Sequence, residues 1–165
     1  VTPTHAERRG DDGVELRTIE VEGRSVSYLS AGPADGPPLL LVHGGLGDAA
    51  LHFERIVPLL AARYRVIAPD LPRFGDTAPL PDASFDRLAD WLVSLADALA
   101  LGRVVLVGNS FGAGLSRVLA ARHPERVRGL VLLGGGLVAV LADAAERLRP
   151  QRSTQGDRRR ARAHE

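Results

Sequence analysis

From residue 38 onward the chain alternates short apolar runs with segments of helical period. Residues 39–42, 66–68, 104–107 and 130–133 are unbroken apolar runs of strand length, the pattern of strands covered on both faces. Between them Phe85, Leu88, Leu92, Leu95 and Leu99 recur at i, i+3 and i+4, which places one apolar stripe on a helix that Ser84 can cap. Leu115, Val118 and Leu119 repeat the spacing in a shorter helix that ends near His123-Pro124. Strand, helix, strand, helix in succession predicts an α/β fold, a mostly parallel doubly wound sheet with right-handed crossovers. Ahead of it, residues 16–21 and 24–29 are β-prone runs around Glu22-Gly23, a predicted N-terminal β-hairpin, and residues 31–37 are a loop by composition.

The two ends differ from this pattern. Residues 1–13 are polar and rich in Gly and Asp and read as a flexible leader, leaving residues 14–148 as the domain. Within it, residues 137–148 read as an apolar-rich helix. Residues 149–165 carry almost no apolar side chain to offset the entropy of ordering, so a disordered basic tail is expected there. Its arginines lack interleaved aromatics and no nucleic-acid-binding fold accompanies them, so no nucleic-acid partner is expected.

Composition narrows the chemistry further. With 165 residues and 45% apolar content the chain is one domain, long enough to bury a core without staples. All 21 basic residues are Arg and there is no Cys. The missing Cys removes disulfides, thiolate zinc sites and a cysteine nucleophile, and the missing Lys removes a Schiff base and the lysine of a phosphate-binding P-loop. No metal and no cofactor are expected. No run approaches the roughly 20 apolar residues of a membrane span, and the N-terminus lacks the basic-then-apolar pattern of a signal peptide, so the expectation is a cytoplasmic protein with no membrane partner.

Parallel α/β sheets place ligands at the carboxyl ends of their strands, and three strand ends here carry candidate chemistry. Gly108-Asn109-Ser110-Phe111-Gly112 lies directly after the run at 104–107 and directly before a helix. A nucleophile on a sharp strand-to-helix turn needs glycine two positions either side, because side chains there would collide with the strand and helix. The helix that follows points its amides and positive dipole end at an oxyanion beside the serine, with the N–H of Phe111 as one donor. The second strand end is His43-Gly44-Gly45-Leu46-Gly47, open to two readings. In one, the N–H of Gly45 or Leu46 is the second oxyanion donor, with His43 and Gly44 structuring the loop. In the other, Gly45-x-Gly47-x-x-Ala50 is a dinucleotide-binding turn and Asp70 takes the ribose hydroxyls of NAD(P) in an oxidoreductase. Asp70-Leu71-Pro72-Arg73-Phe74-Gly75-Asp76-Thr77 is the third, where an Asp followed by Pro and Gly reads as a loop-structuring residue.

Taken together, from about residue 15 to about residue 137, the chain resembles the α/β-hydrolase superfamily in its serine-nucleophile branch. The hairpin, the His-Gly-Gly loop, the Asp-Leu-Pro-x-Phe-Gly turn, the serine turn and the strand at 127–133 follow the order of that family's first six strands. The resemblance implies Ser110 as nucleophile, Phe111 with Gly45 or Leu46 as oxyanion hole, and cofactor-free hydrolysis of an ester, lactone, amide or related small molecule. Arg73 stands where the family turn has Gly, and Thr77 where it has Ser.

In this family a triad acid and then a histidine follow the serine. Here the only later histidines are His123, about 20 Å away along a helix, and His164 in the tail, while Glu125, Asp143, Glu146, Asp157 and Glu165 are the later acids. None has a convincing setting, so the sequence reads as a hydrolase truncated after about the sixth strand, lacking the triad acid and histidine, with a non-catalytic fragment as the alternative. The strand at 127–133 is then expected to be an open edge that a partner strand or a second copy would cover.

Overall fold

The computed structural model describes residues 6–9, 13–134 and 139–142. All six expected strands form: Glu15–Val21 (β2) and Arg24–Ala31 (β3) as the hairpin, then Pro38–Val42 (β4), Arg65–Pro69 (β5), Val104–Asn109 (β6) and Val127–Leu133 (β7). Two further strands flank them, Ala6–Arg9 (β1) and Ala139–Ala142 (β8), in one sheet of order β1-β2-β3-β5-β4-β6-β7-β8. Pairing is parallel from β5 through β4 and β6 to β7 and antiparallel elsewhere.

The flanking strands correct two expectations. Part of the leader is β1, paired with Glu15 to Arg17 of β2 across an irregular register. A short polar edge strand with a bulge suits the outside of a sheet, where a long flat edge would invite aggregation. At the other end, residues 139–142 are strand rather than helix, and they pair antiparallel with β7 from Leu132 back to Gly129. The expected open edge is therefore covered by the chain itself. The physical reason is that unpaired N–H and C=O groups along β7 template a neighbour, and Val140 and Leu141 fit a pleated surface as readily as a helix. The tail at 149–165 lies outside the described residues.

Helices Phe85–Ala98 (α3) and Phe111–Arg122 (α4) match the two apolar stripes. Ser84 caps α3, its hydroxyl accepting from Arg87 N–H. Two five-residue helices, Ala49–Phe53 (α1) and Val57–Ala61 (α2), are too short to leave a periodic signature. The sheet is covered on both faces. Leu40, Val42, Ile67, Leu106 and Leu130 pack under Leu88, Trp91, Leu92, Leu95, Leu115 and Leu119 of α3 and α4. Leu39, Leu41, Val66 and Ala68 point the other way, against Ala49, Phe53 and Val57 of α1 and α2. Side chains alternate across a strand, so two buried faces demand the continuous apolar runs seen in the sequence.

Candidate active site

Parallel pairing of β4 with β6 sets the geometry of the site. Val42 stands opposite Gly108, so the residues that follow leave the sheet side by side: Gly44 next to Ser110, and Gly45 next to Phe111. A Cβ built on Gly44 would lie 3.5 Å from Ser110 Cβ, and one on Gly45 would lie 3.7 Å from Phe111 Cβ.

Ser110 joins β6 to α4 with φ 52° and ψ −112°. A non-glycine residue held there costs about 1–3 kcal/mol and persists only where its surroundings fix it. They do: its N–H donates to Leu133 O at 2.7 Å, and its carbonyl accepts from Ala113 N–H at 3.0 Å. The hydroxyl makes no capping bond, and the residue is exposed. A Cβ on Gly108 would lie 2.4 Å from Gly112 O, and one on Gly112 would lie 2.1 Å from Val42 O. Only glycine at both places lets α4 sit this close to the sheet. The amides of Phe111 and Gly112 precede the first hydrogen bond of the helix, which Ala113 N–H makes to Ser110 O, and its positive dipole end falls at Ser110.

The neighbouring loops are fixed by buried polar contacts. His43 is fully buried; its Nε2 accepts from Leu71 N–H at 2.9 Å, which leaves the proton on Nδ1 for the Gly44 carbonyl at 2.6 Å. Burial pushes its pKa below the ordinary value, outweighing the Gly44 carbonyl and Asp70, which act the other way. The imidazole is thus neutral with both nitrogens engaged, and its ring meets Phe74 edge-on at 5.0 Å. Asp70 accepts from the Ser27 hydroxyl with Oδ2 and from Ala49 N–H at 2.8 Å with Oδ1. Thr77 Oγ1 accepts from Ser27 N–H at 3.0 Å, and Arg73, in the family's glycine position, takes φ 79°.

These contacts remove the dinucleotide alternative. Both Asp70 oxygens are occupied within the protein, and the turn at Gly45 and Gly47 leads into a five-residue helix.

His123 is at the far end of α4, where its Nε2 meets Asp90 Oδ1 at 2.8 Å and ties α4 to α3. Glu125 Oε1 lies 3.8 Å from its other ring nitrogen. Neither approaches Ser110, and Asp143, Glu146, Asp157, His164 and Glu165 lie outside the described residues. His52, which the sequence reading passed over, is at the site: a Cβ on Gly44 would lie 2.8 Å from its Cε1. Its signal was positional, a histidine on the helix that Asp48 caps directly after the glycine loop. Among the described residues no group of three or more His, Asp or Glu side chains is placed to hold a metal ion, and no helix is long and apolar enough to cross a membrane. A cavity of about 530 Å³ lies between α4 and β7, lined by Phe85, Val118, Ala121, Leu130 and Leu132 among others, and does not include Ser110 in its lining.

The strand order, the strained serine turn and the glycine loop beside it define the class of an α/β hydrolase. The chain belongs to the alpha/beta hydrolase fold family, whose model matches residues 37–165. It is 45% identical over 108 residues to a 2-hydroxymuconate semialdehyde hydrolase of Pseudomonas sp. (strain CF600), covering 63% of this chain and 38% of that protein. It is 40% identical over 113 residues to a haloalkane dehalogenase of Mycolicibacterium paratuberculosis, covering 67% of this chain and 38% of that protein. Among solved structures, Cfl2 wild-type from Burkholderia cenocepacia superposes with a TM-score of 0.72 at 32% identity, over 80% of this chain and 45% of that one. The chain thus spans less than half the length of each of these relatives.

Proposed function

We propose that this chain carries the nucleophile and oxyanion-hole half of a serine hydrolase acting on an ester, lactone, amide or related small molecule. The observation that carries the reading is Ser110, held at φ 52° on the strand-to-helix turn with its hydroxyl outside any capping bond. Ser110 Oγ attacks the carbonyl carbon, the C=O π pair moves onto oxygen, and that oxyanion is received by Phe111 N–H and by the N–H of Gly45 or Leu46. Collapse of the tetrahedral species re-forms the carbonyl and expels the leaving group, giving an acyl-serine that water cleaves.

The serine proton needs a base. Among the described residues each histidine is already engaged: His43 with Leu71 and Gly44, His52 with Leu46 and Asn109, His123 with Asp90. The base and its acid therefore belong outside the described residues. Exposed Leu46 beside the turn suits an apolar group on the substrate.

Labelling with a fluorophosphonate probe tests the reading. One adduct per chain, mapped to Ser110 and absent in Ser110→Ala, is the expected result. A folded chain that takes no label, or one that labels equally as Ser110→Ala, overturns it in favour of a non-catalytic fragment.

A further inference from the structure

Two segments far apart in the chain must be held in register for the oxyanion hole to exist. One is the loop from Gly44 to Gly47, three glycines around Leu46, whose side chain is 82% exposed. Such a loop has little packing of its own and large backbone freedom. The other is the serine turn, fixed by β6, α4 and Leu133.

His52 stands between them. It lies in the last turn of α1, which Asp48 caps by accepting Leu51 N–H at 2.8 Å. Its Nε2 is 2.7 Å from Leu46 O, and its Nδ1 is 2.8 Å from Asn109 Nδ2. A carbonyl only accepts, so Nε2 carries the proton and donates it to Leu46. Nδ1 then has a lone pair and accepts from the Asn109 amide. The two bonds select one neutral tautomer of the ring. The ring passes beneath Gly44, with Nε2 3.4 Å from where a Cβ would stand, and stacks on buried His43 at 5.7 Å and 27°.

We propose that His52 is a positioning residue that ties the glycine loop to the serine turn and so assembles the two halves of the oxyanion hole. The inference rests on the hydrolase reading. His52 is no base, because Nε2 is a donor to a carbonyl and the Nδ1 lone pair is already taken by an amide. It acts one bond away from the chemistry. The Leu46 carbonyl that it holds belongs to the peptide plane directly after the one that carries Leu46 N–H, so anchoring it restrains the loop that presents the oxyanion donors, and Asn109 is the residue directly before Ser110.

The test uses the full 165-residue chain with His52→Phe, which keeps a ring but loses both bonds, and His52→Gln, whose amide N–H reaches the Leu46 carbonyl. Two readouts are taken at matched folded fraction: the second-order rate of fluorophosphonate labelling at Ser110, and hydrogen exchange of the amides at 45–47. The expected result for His52→Phe is labelling slowed about 10- to 100-fold and faster exchange confined to the loop, with His52→Gln recovering most of both. Asn109→Leu, which removes only the second bond, is expected to slow labelling by a smaller factor. Labelling and exchange within twofold of the parent in His52→Phe overturn the proposal. If the parent itself takes no label the hydrolase reading falls, and the tether is then judged on exchange alone: unchanged amides at 45–47 overturn it.

Discussion

Asp70 and Ser27 meet across the antiparallel pair β3 and β5, where the Ser27 hydroxyl donates to Asp70 Oδ2 and the Asp70 amide donates back to Ser27 O at 3.0 Å. With Ala49 N–H on Oδ1, one buried carboxylate pins the hairpin, the end of β5 and the start of α1. Asp70→Ala leaves a hydroxyl and an amide without partners at a site 7% exposed. The expected cost is about 2–4 kcal/mol, read as a lower urea midpoint with an unchanged m-value. A loss under about 0.5 kcal/mol would show that water replaces the carboxylate freely.

Gly75→Ala attacks the same joint from the other side. Gly75 has φ 47°, and a Cβ there would lie 2.1 Å from Asp70 Oδ2. Loss of about 3 kcal/mol or more is expected, together with displacement of the Asp70 loop. A calorimetric melting temperature within a few degrees of the parent would contradict the geometry.

Arg73 makes the opposite prediction. It is exposed at φ 79°, and relief of left-handed strain of about 1–2 kcal/mol is partly offset by the added freedom of unfolded glycine, about 0.5–1 kcal/mol. Arg73→Gly is expected to be neutral to about 1 kcal/mol stabilising, and Arg73→Val, β-branched, clearly destabilising; denaturant titration of the pair orders them.

Ser116 lies on α4 under the serine turn, fully buried, and its hydroxyl oxygen has no hydrogen-bond partner. Removing a buried unpaired polar atom recovers its desolvation penalty, about 1 kcal/mol. Ser116→Ala is expected to melt at or above the parent temperature, and a drop of several degrees would reveal a partner that forms in solution.

Acid should weaken the fold in two stages. His43 is held below its ordinary value of 6.5, chiefly by burial, so the unfolded chain takes up that proton first and stability falls as pH drops below about that value until the folded site titrates too. Glu22 is held below 4.5 by its hydrogen bond to Arg87, with Ser94 assisting, so its contribution is present above that pH and is lost as pH falls through the lower folded value. Urea midpoints from pH 8 to 3 trace both steps, and Glu22→Gln reduces the second, leaving the share of Asp90 and Asp82, which are also held low, and does not change the first.

Most of the scaffold was legible because its signals are local. Double burial makes β4, β5, β6 and β7 apolar runs, and Gly108 and Gly112 bracket Ser110 because the backbone approach admits nothing larger. What was not legible depends on partners. Ala6–Arg9 and Ala139–Ala142 are strands because a neighbouring edge recruits them, and five-residue α1 is too short for any period to show. His52 escaped notice since its two partners, Leu46 and Asn109, meet only once β4 lies beside β6.

The bond from Ser110 N–H to Leu133 O gives the serine turn an unusual dependence. Its acceptor belongs to the last residue of β7, which among the described residues is one strand in from the margin of the sheet, so the posture of the serine depends on how firmly that margin is held. Chemical reactivity at Ser110 should then decline before the core melts. A probe of that hydroxyl doubles as a local thermometer for the sheet margin, reporting loosening that far-ultraviolet circular dichroism would not register.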